Sequence, residues 1–167
     1  KTLDLCLAAL LDLLSPPGAR GRTAYIFASD EDQAGDDLDL VKKLIRANPK
    51  TLGAFLRVQK KAILRKDGRG VLEILPAQDV EGSHGKSYSF VGFDEVHVMR
   101  DWRLLEALQI DPHRPEALMW LTSYASIYHR PGVPLFDLMA AGKRGSDPRM
   151  LFSWYGGDYS TDSAFEA

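Results

Sequence analysis

The stretch "YSFVGFDEVH", residues Tyr88–His97, decides the fold of this chain. Its first six residues are mostly apolar and strand-like, and two adjacent carboxylates, Asp94 and Glu95, follow at once. Charged side chains at the end of a buried strand cost desolvation free energy unless a cation, a metal ion or a substrate needs them. The stretch therefore predicts a buried strand that delivers two acids to a binding edge.

Helix-like and strand-like segments alternate along the rest of the chain. Helix patterns cover residues 1–14, 30–47, 101–109 and 134–144. Strand patterns cover residues 23–30, 88–97, 117–126 and 149–157, and residues 54–75 look like two strands around the turn "KDGRG". Asp30 is the predicted N-cap of the second helix. This alternation predicts an α/β domain whose parallel or mostly parallel sheet is flanked by helices.

The composition is that of an ordinary globular protein. The 167 residues are 45% hydrophobic and 26% charged, which suits one domain with a core. A single cysteine, Cys6, excludes an internal disulfide framework and suits a reducing cytosol. The net charge of −2 does not point to nucleic acid, although a local basic patch would be enough to bind it.

Polar residues follow the predicted strands at places where ligands bind in such a sheet, beyond the carboxyl ends. Asp94 and Glu95 stand at one strand end, and Thr122 and Ser123 stand near another. Lys1 and Thr2 open the first helix, and a helix N-terminus favours anions. We expect these groups to converge on one edge. We also expect the strands at 88–93 and 118–121 to be parallel and close, each flanking the strand that leads into Lys1.

The pair Lys1-Thr2 before a helix resembles the end of the phosphate-binding loop G-x-x-x-x-G-K-S/T of P-loop ATPases. In that loop the lysine neutralises β- and γ-phosphate charge, and the hydroxyl holds Mg²⁺. An apolar strand ending in Asp94 matches the second nucleotide motif, whose aspartate supports the metal ion, and Glu95 could polarise the attacking water. The alternative without a functional role is a strand end with two solvated acids.

Three segments in order extend this resemblance to one family. They are "ASDEDQA" (28–34), "GSHGKSYSFVGFDEVH" (82–97) and "ALMWLTSYAS" (117–126). Together they resemble the ATPase domain of the large terminase subunit of tailed bacteriophages, the motor that packages DNA into a prohead. The resemblance implies a P-loop NTPase fold of the ASCE type, with ATP and Mg²⁺ as ligands.

The resemblance also implies a role for each site residue. Lys1 and Thr2 would end the phosphate loop, with Thr2 and Asp94 at the magnesium ion. Glu95 would be the catalytic base, and Thr122 and Ser123 would be the coupling residues that sense the γ-phosphate.

Partners and surroundings follow from the same resemblance. Double-stranded DNA, the portal protein, the small terminase subunit and further copies in a homo-oligomeric ring would be the partners, in the host cytoplasm. Residues 1–167 would be one ATPase domain, a fragment whose loop glycines precede Lys1 and whose nuclease domain lies beyond Ala167. No arginine lies between Gly70 and Asp94, so four residues are candidates for an arginine finger: Arg100, Arg103, Arg114 and Arg130.

Two other readings stay open. "DEVH" fits the box of a DExH-type helicase half, although the following strand reads "LTSYAS" where a helicase would carry Ser-Ala-Thr. A catalytically dead α/β interaction module is the third reading. Sequence upstream of Lys1 would separate the readings, because a glycine-rich loop supports an ATPase.

One charge run has two explanations. Six basic residues surround the single acid Asp67: Arg57, Lys60, Lys61, Arg65, Lys66 and Arg69. They form either a DNA-facing hairpin or a solvated strand pair, since charge runs usually mark exposed faces. The four histidines, His84, His97, His113 and His129, are too scattered to predict a metal site.

Overall fold

The computed structural model describes residues 1–78, 81–109 and 111–155. Its helices are α1 (Thr2–Leu14), α2 (Glu31–Ala47), α3 (Leu52–Phe55), α4 (Arg103–Ala107) and α5 (Pro134–Arg144). Its strands are β1 (Arg22–Ala28), β2 (Leu56–Val58), β3 (Ala62–Arg65), β4 (Gly70–Pro76), β5 (Phe90–Phe93) and β6 (Leu118–Leu121).

The six strands form one mixed sheet in the order β2-β3-β4-β1-β5-β6. The four strands from β4 to β6 are parallel, and β2 and β3 join the edge as antiparallel strands. The predicted mostly parallel α/β sheet is therefore confirmed. Strands β5 and β6 pair directly from Phe90–Leu118 to Phe93–Leu121. They are parallel neighbours as expected, but no strand lies between them, so the expectation that they flank the strand leading into Lys1 is wrong.

Helices α1 and α2 cover one face of the sheet. Leu5, Ala9 and Leu13 recur along α1 at helical spacing and are buried against the strands. The second helix begins at the predicted cap, because the Asp30 carboxylate accepts the Gln33 backbone N–H at 2.9 Å. Helix α1 therefore begins above the end of β5.

The opposite face is packed by shorter elements around β5. Phe27 of β1 and Phe93 of β5 stack with their ring centroids 5.5 Å apart. Leu104 and Leu105 of α4 belong to the same buried cluster. This second core holds β5 rigidly between two apolar layers, which explains why all four of its residues are buried.

Two local predictions were wrong. Residues 54–75 form three strands instead of two, because the turn at residues 59–61 separates the very short β2 from β3. The predicted strand at 149–157 is absent from residues 149–155, and its last two residues lie outside the described part of the chain. Two large side chains of this segment do not pack against the sheet: Leu151 is 95% exposed and Tyr155 is 97% exposed.

Among the described residues, no helix is both long enough and apolar enough to cross a membrane.

Gly92 allows α1 to approach β5, which gives a stability test. A Cβ at residue 92 would lie 2.6 Å from Leu5 Cδ1, and Leu5 is completely buried. We expect Gly92→Ala to lower the free energy of unfolding by about 1–3 kcal/mol, because the packed core must shift. Urea denaturation measures the change.

Gly35→Ala is the matched control. Gly35 lies within α2, and nothing approaches its Cβ position within 4 Å. We expect this change to raise the free energy of unfolding by roughly 0.5–1 kcal/mol, because alanine favours the helix. Equal stabilities for the two variants would contradict the proposed contact between Leu5 and Gly92.

Candidate nucleotide site

The ends of β1, β5 and β6 meet at one edge of the sheet. The Asp94 backbone N–H donates to the Phe27 carbonyl at 2.9 Å, and the Thr122 N–H donates to the Phe93 carbonyl at 2.9 Å. The ladder thus continues one residue past each strand. This continuation fixes Asp94 and Thr122 side by side, as the strand order predicts.

Asp94 is the centre of the site and is 1% exposed. Its Oδ2 accepts the Thr2 hydroxyl at 2.6 Å, and its Oδ1 accepts the Thr122 hydroxyl at 2.6 Å. The Glu95 backbone N–H also donates to Oδ1, at 3.1 Å. Lys1 Nζ lies 3.7 Å from the same oxygen. Donors therefore reach both carboxylate oxygens, and a cation lies near one of them, which offsets the cost of burying the group.

Glu95 leaves the strand in an unusual backbone conformation. Its φ is 61° and its ψ is 46°, and it is the one non-glycine residue with a positive φ in the described ranges. Such a conformation costs of order 1–3 kcal/mol for a side-chain-bearing residue. The turn brings Glu95 Oε1 into contact with Lys1 Nζ. Strain of this kind is typical of functional positions, where a side chain is held against local preference.

Lys1 is placed by an aromatic ring as well as by acids. Its Nζ lies 3.8 Å from the centroid of the Tyr124 ring, a cation–π distance. The ammonium group is therefore held between the two acids and the loop that follows β6.

Five of the six predicted residues lie together, with Asp94 at the centre and four around it: Lys1, Thr2, Glu95 and Thr122. Ser123 is the exception, because its hydroxyl donates to the Tyr124 carbonyl at 2.7 Å. Successive residues of an extended chain point in opposite directions, so Thr122 and Ser123 do not share a side.

Three further residues at this edge were not predicted. His97 Nδ1 lies 2.8 Å from Glu95 Oε2, although the angle is not that of a hydrogen bond. Tyr124 contacts Lys1, as described above. Asp37 of α2 is 1% exposed, and its Oδ1 accepts the Gln33 side-chain amide at 2.9 Å. Its Oδ2 has no hydrogen-bond partner among the described residues.

Asp37 has a raised pKa. Burial raises its pKa from 3.8 to about 6, the hydrogen bond from Gln33 opposes this, and the charges of Asp94 and Glu95 add to it. The sequence held a signal for this burial. Ala34, Asp37, Leu38 and Val41 follow one helical stripe, and all four are buried.

The donor set fits a magnesium ion that is shared with a phosphate. The Thr2 hydroxyl and the Asp94 carboxylate offer two oxygens 2.6 Å apart. Mg²⁺ is usually held by one or two protein oxygens together with waters and substrate phosphates. Within the described ranges there is no cluster of three or more His, Cys, Asp or Glu residues that could hold a metal ion alone.

The four candidates for an arginine finger lie in different parts of the structure. Arg114 is 4% exposed and donates to the Arg20 carbonyl at 3.2 Å, near the start of β1 and at the opposite edge of the sheet. It is therefore excluded as a group that reaches a neighbouring subunit. Arg103 pairs with Asp101 at 2.9 Å, Arg100 lies over the Tyr128 ring at 5.1 Å, and Arg130 is exposed.

A family model described as the terminase large subunit, ATPase domain, matches residues 1–125. The match contains all the residues gathered around Asp94. The chain belongs to this family. A terminase ATPase domain is an ATP-hydrolysing enzyme domain.

Solved structures agree in fold. The crystal structure of the bacteriophage HK97 large terminase superposes with a TM-score of 0.77 at 17% identity, covering 95% of this chain and 33% of that one. The large terminase ATPase domain of Thermus phage P74-26 superposes with a TM-score of 0.56 at 18% identity, covering 86% of this chain and 61% of that one. The chain thus spans a third of the HK97 protein. No curated protein sequence matches it.

Asp37 gives this terminase ATPase domain a pH-dependent stability. Because its folded pKa lies above the unfolded value, the folded state keeps a proton that the unfolded chain has lost. Stability is therefore complete below about pH 4 and falls as the pH rises through 6. The loss amounts to about 3 kcal/mol at most, since each pKa unit is worth about 1.4 kcal/mol.

Asp37→Asn removes this titration. Between pH 4 and pH 8, the variant should gain up to about 3 kcal/mol relative to the wild type in urea denaturation. Asp36→Asn, an exposed acid on the same helix, is the matched control. Parallel pH curves for the wild type and Asp37→Asn would contradict the burial of a protonated carboxyl group.

Proposed function

We propose that this domain hydrolyses Mg²⁺-ATP at the edge built around Asp94 and that it drives DNA into a prohead. The observation that supports this best is the convergence of three distant segments on one buried carboxylate. Thr2 begins α1, Asp94 follows β5 and Thr122 follows β6, yet the two hydroxyls bind the same side chain.

The residues divide the chemistry between them. Lys1 would pair with the β- and γ-phosphates, and Thr2 and Asp94 would hold Mg²⁺. The bound ion would neutralise charge on the phosphate oxygens. Glu95 would accept a proton from the attacking water molecule. At the same time the water oxygen would bond to the γ-phosphorus, and the bond between that phosphorus and the β–γ bridging oxygen would break.

The contact between Lys1 and Glu95 fits this assignment. The ammonium group of Lys1 pairs with the carboxylate of Glu95. Phosphates compete for the same ammonium group, so nucleotide binding would release Glu95 Oε1 to meet a water molecule. Thr122 would report the phosphate state to the loop after β6, because its hydroxyl shares Asp94 with Thr2.

The partners follow from the family and remain part of the proposal. Double-stranded DNA would be the cargo, with the portal protein and the small terminase subunit as neighbours in the host cytoplasm. A homo-oligomeric ring would supply the missing positive charge in trans. Arg100 and Arg130 fit that role best: Arg100 follows the 3-10 turn after Glu95, Arg130 follows the loop after β6, and both are exposed.

Two substitutions test the catalytic assignment in protein that carries a complete phosphate-binding loop. Glu95→Gln keeps the shape of the side chain but removes the base, so ATP binding should persist while turnover falls by about 10²–10⁴-fold. Asp94→Asn should instead weaken magnesium-dependent ATP binding. Calorimetry with and without Mg²⁺ and a phosphate-release assay separate the two effects.

The outcomes also separate the competing readings. Unchanged turnover in Glu95→Gln would remove Glu95 from its role. A wild-type protein that binds no ATP would support the dead interaction module instead. A helicase half would unwind duplexes, which the proposed motor does not.

A further inference from the structure

A second charged feature lies at the opposite edge of the sheet. It is a cleft at the starts of β1 and β4, and we call it the basic cleft. Thirteen residues line it: 19–23, Arg57, 64–66 and 68–71. Six of them are basic and none is acidic. The nucleotide site lies at the other ends of the same strands.

The floor of the basic cleft is a row of side chains that runs across four strands. Arg57 is opposite Leu64, Leu64 is opposite Val71, and Val71 is opposite Thr23. The alternate residues, such as Ile63 and Leu72, are buried beneath α1 and α2. Arg57 is exposed, so this part of the second face is open to solvent.

Some of the cations already have structural tasks. Arg22 pairs with Asp12 at 3.1 Å, and Arg65 pairs with Asp67 at 2.7 Å. Arg65 also donates to the Leu13 and Ser15 carbonyls, each at 2.8 Å, where α1 ends.

Three cations keep their charge available. Within the described ranges, Arg57, Lys66 and Arg69 form no ion pair. Lys66 donates to the Gly53 carbonyl at 2.7 Å, and Arg69 donates to the Gly18 carbonyl at 2.8 Å. Neutral carbonyls hold these side chains in place, and Asp67, which pairs with Arg65, acts on the Arg69 side chain through a longer-range charge interaction. The basic run of the sequence is also divided, because Lys60 and Lys61 lie in the turn at the far end of the hairpin.

We propose that the basic cleft binds backbone phosphates of duplex DNA; this rests on the proposed function of the domain. Three unpaired cations in a cleft whose lining holds no acid suit a polyanion whose charges repeat along its length. Phosphate contacts fix position and carry no sequence information, which a packaging motor does not need. Binding of this kind weakens with salt, because each contact releases counterions.

The test compares two double variants with equal charge loss. Arg57→Ala/Arg69→Ala removes two unpaired cations of the basic cleft, and Lys60→Ala/Lys61→Ala removes two cations from the far turn. Fluorescence anisotropy of a labelled duplex is measured over a salt series. The slope of log affinity against log salt is negative. Its magnitude should fall by about 2 in the cleft variant, since each phosphate contact contributes roughly 0.9. The turn variant should keep the wild-type slope.

Additional arms make each result decisive. Arg57→Lys/Arg69→Lys keeps the charge and should keep the slope, which separates lost charge from lost folding. Equal slopes for the two alanine variants would overturn the proposal. The proposal would also be overturned if the cleft variant kept the wild-type DNA slope but lost binding of polyglutamate. That result would identify an acidic protein as the partner. ATP turnover without DNA should not change, so failure of the Glu95 assignment would be seen separately.

A different observation concerns His97, on the side of Glu95 away from Lys1. Its Nδ1 and Glu95 Oε2 are both buried and 2.8 Å apart, and neither has a hydrogen-bond partner among the described residues. The His97 ring meets the Tyr124 ring edge-on at 6.2 Å, and its carbonyl accepts the Ser126 hydroxyl at 2.9 Å. His97 thus joins the loop after β6 to Glu95.

We infer that His97 is a positioning residue for Glu95, an inference that also rests on the proposed function. Once phosphates draw Lys1 away, a small rotation turns the existing contact into a hydrogen bond that holds the carboxylate. His97→Ala should lower kcat on the order of 10–100-fold with little change in KM, because a misplaced base loses rate and not nucleotide binding.

His97→Asn places an amide near Nδ1 and should recover most of the rate. His129→Ala removes an exposed ring that packs on Phe136 and should leave turnover unchanged. A wild-type kcat in His97→Ala, or no recovery in a folded His97→Asn, would overturn the inference. If Glu95→Gln lowered the rate and His97→Ala did not, Glu95 would stay assigned as the base and His97 would have no positioning role.

Discussion

The structure depends on one buried charge. The Asp94 side chain is fully removed from solvent, and an isolated carboxylate in such a place would be prohibitively costly. Its donors come from different elements: the Thr2 hydroxyl from α1, the Thr122 hydroxyl from the end of β6 and the Glu95 amide from its own turn. Moving any of them away would take one hydrogen bond from a buried carboxylate, and an unmade bond in such a place costs more than the bond itself gains. The charge therefore holds three chain segments together.

The same turn explains why two adjacent acids can have different roles. In a regular strand, Glu95 would point away from Asp94 and into the packing of the opposite face. The left-handed conformation at Glu95, with φ of 61°, redirects the chain into the 3-10 turn Val96–Val98. Asp94 stays buried, while the Glu95 side chain is 19% exposed and reaches the edge. One acid suits a fixed metal ligand, and the other suits a group that must meet water.

The sequence predicted what depends on strand ends. Asp94 and Thr122 each follow an apolar strand, and parallel strands put their carboxyl ends at one edge, so their meeting was foreseeable. Ser123 was expected beside Thr122, but successive residues of an extended chain point in opposite directions, so the two hydroxyls do not share a side. Asp37 was missed because it is one of six acids between Asp30 and Asp39, and such a run is typical of a solvated surface, although its place on the apolar stripe of α2 marked it as buried. The basic cleft needed the fold, because Arg20 and Arg22 reach it from a distant part of the chain.

Helix α1 links the two edges and is fixed to the sheet along its length. Thr2 binds Asp94 at the nucleotide edge, and Leu5 rests on Gly92 in the middle. Near the other end, Asp12 accepts the Ser89 hydroxyl at 2.6 Å and pairs with Arg22. Burial raises the pKa of Asp12, and the hydrogen bond from Ser89 and the charge of Arg22 oppose this. Sliding α1 would break polar contacts of two partly or fully buried carboxylates at once.

A helix anchored at both ends favours small motions of side chains over motions of the helix. The Lys1 and Glu95 side chains, 21% and 19% exposed, contact each other where solvent reaches the site, whereas the Asp94 side chain is 0% exposed. The loop after β6 contacts both movable groups, through Tyr124 at Lys1 and through His97 at Glu95. A change of partner at Lys1 or Glu95 would therefore act directly on this loop. The stable sheet and the movable loop meet at Thr122, which is where a phosphate-dependent signal would leave the site.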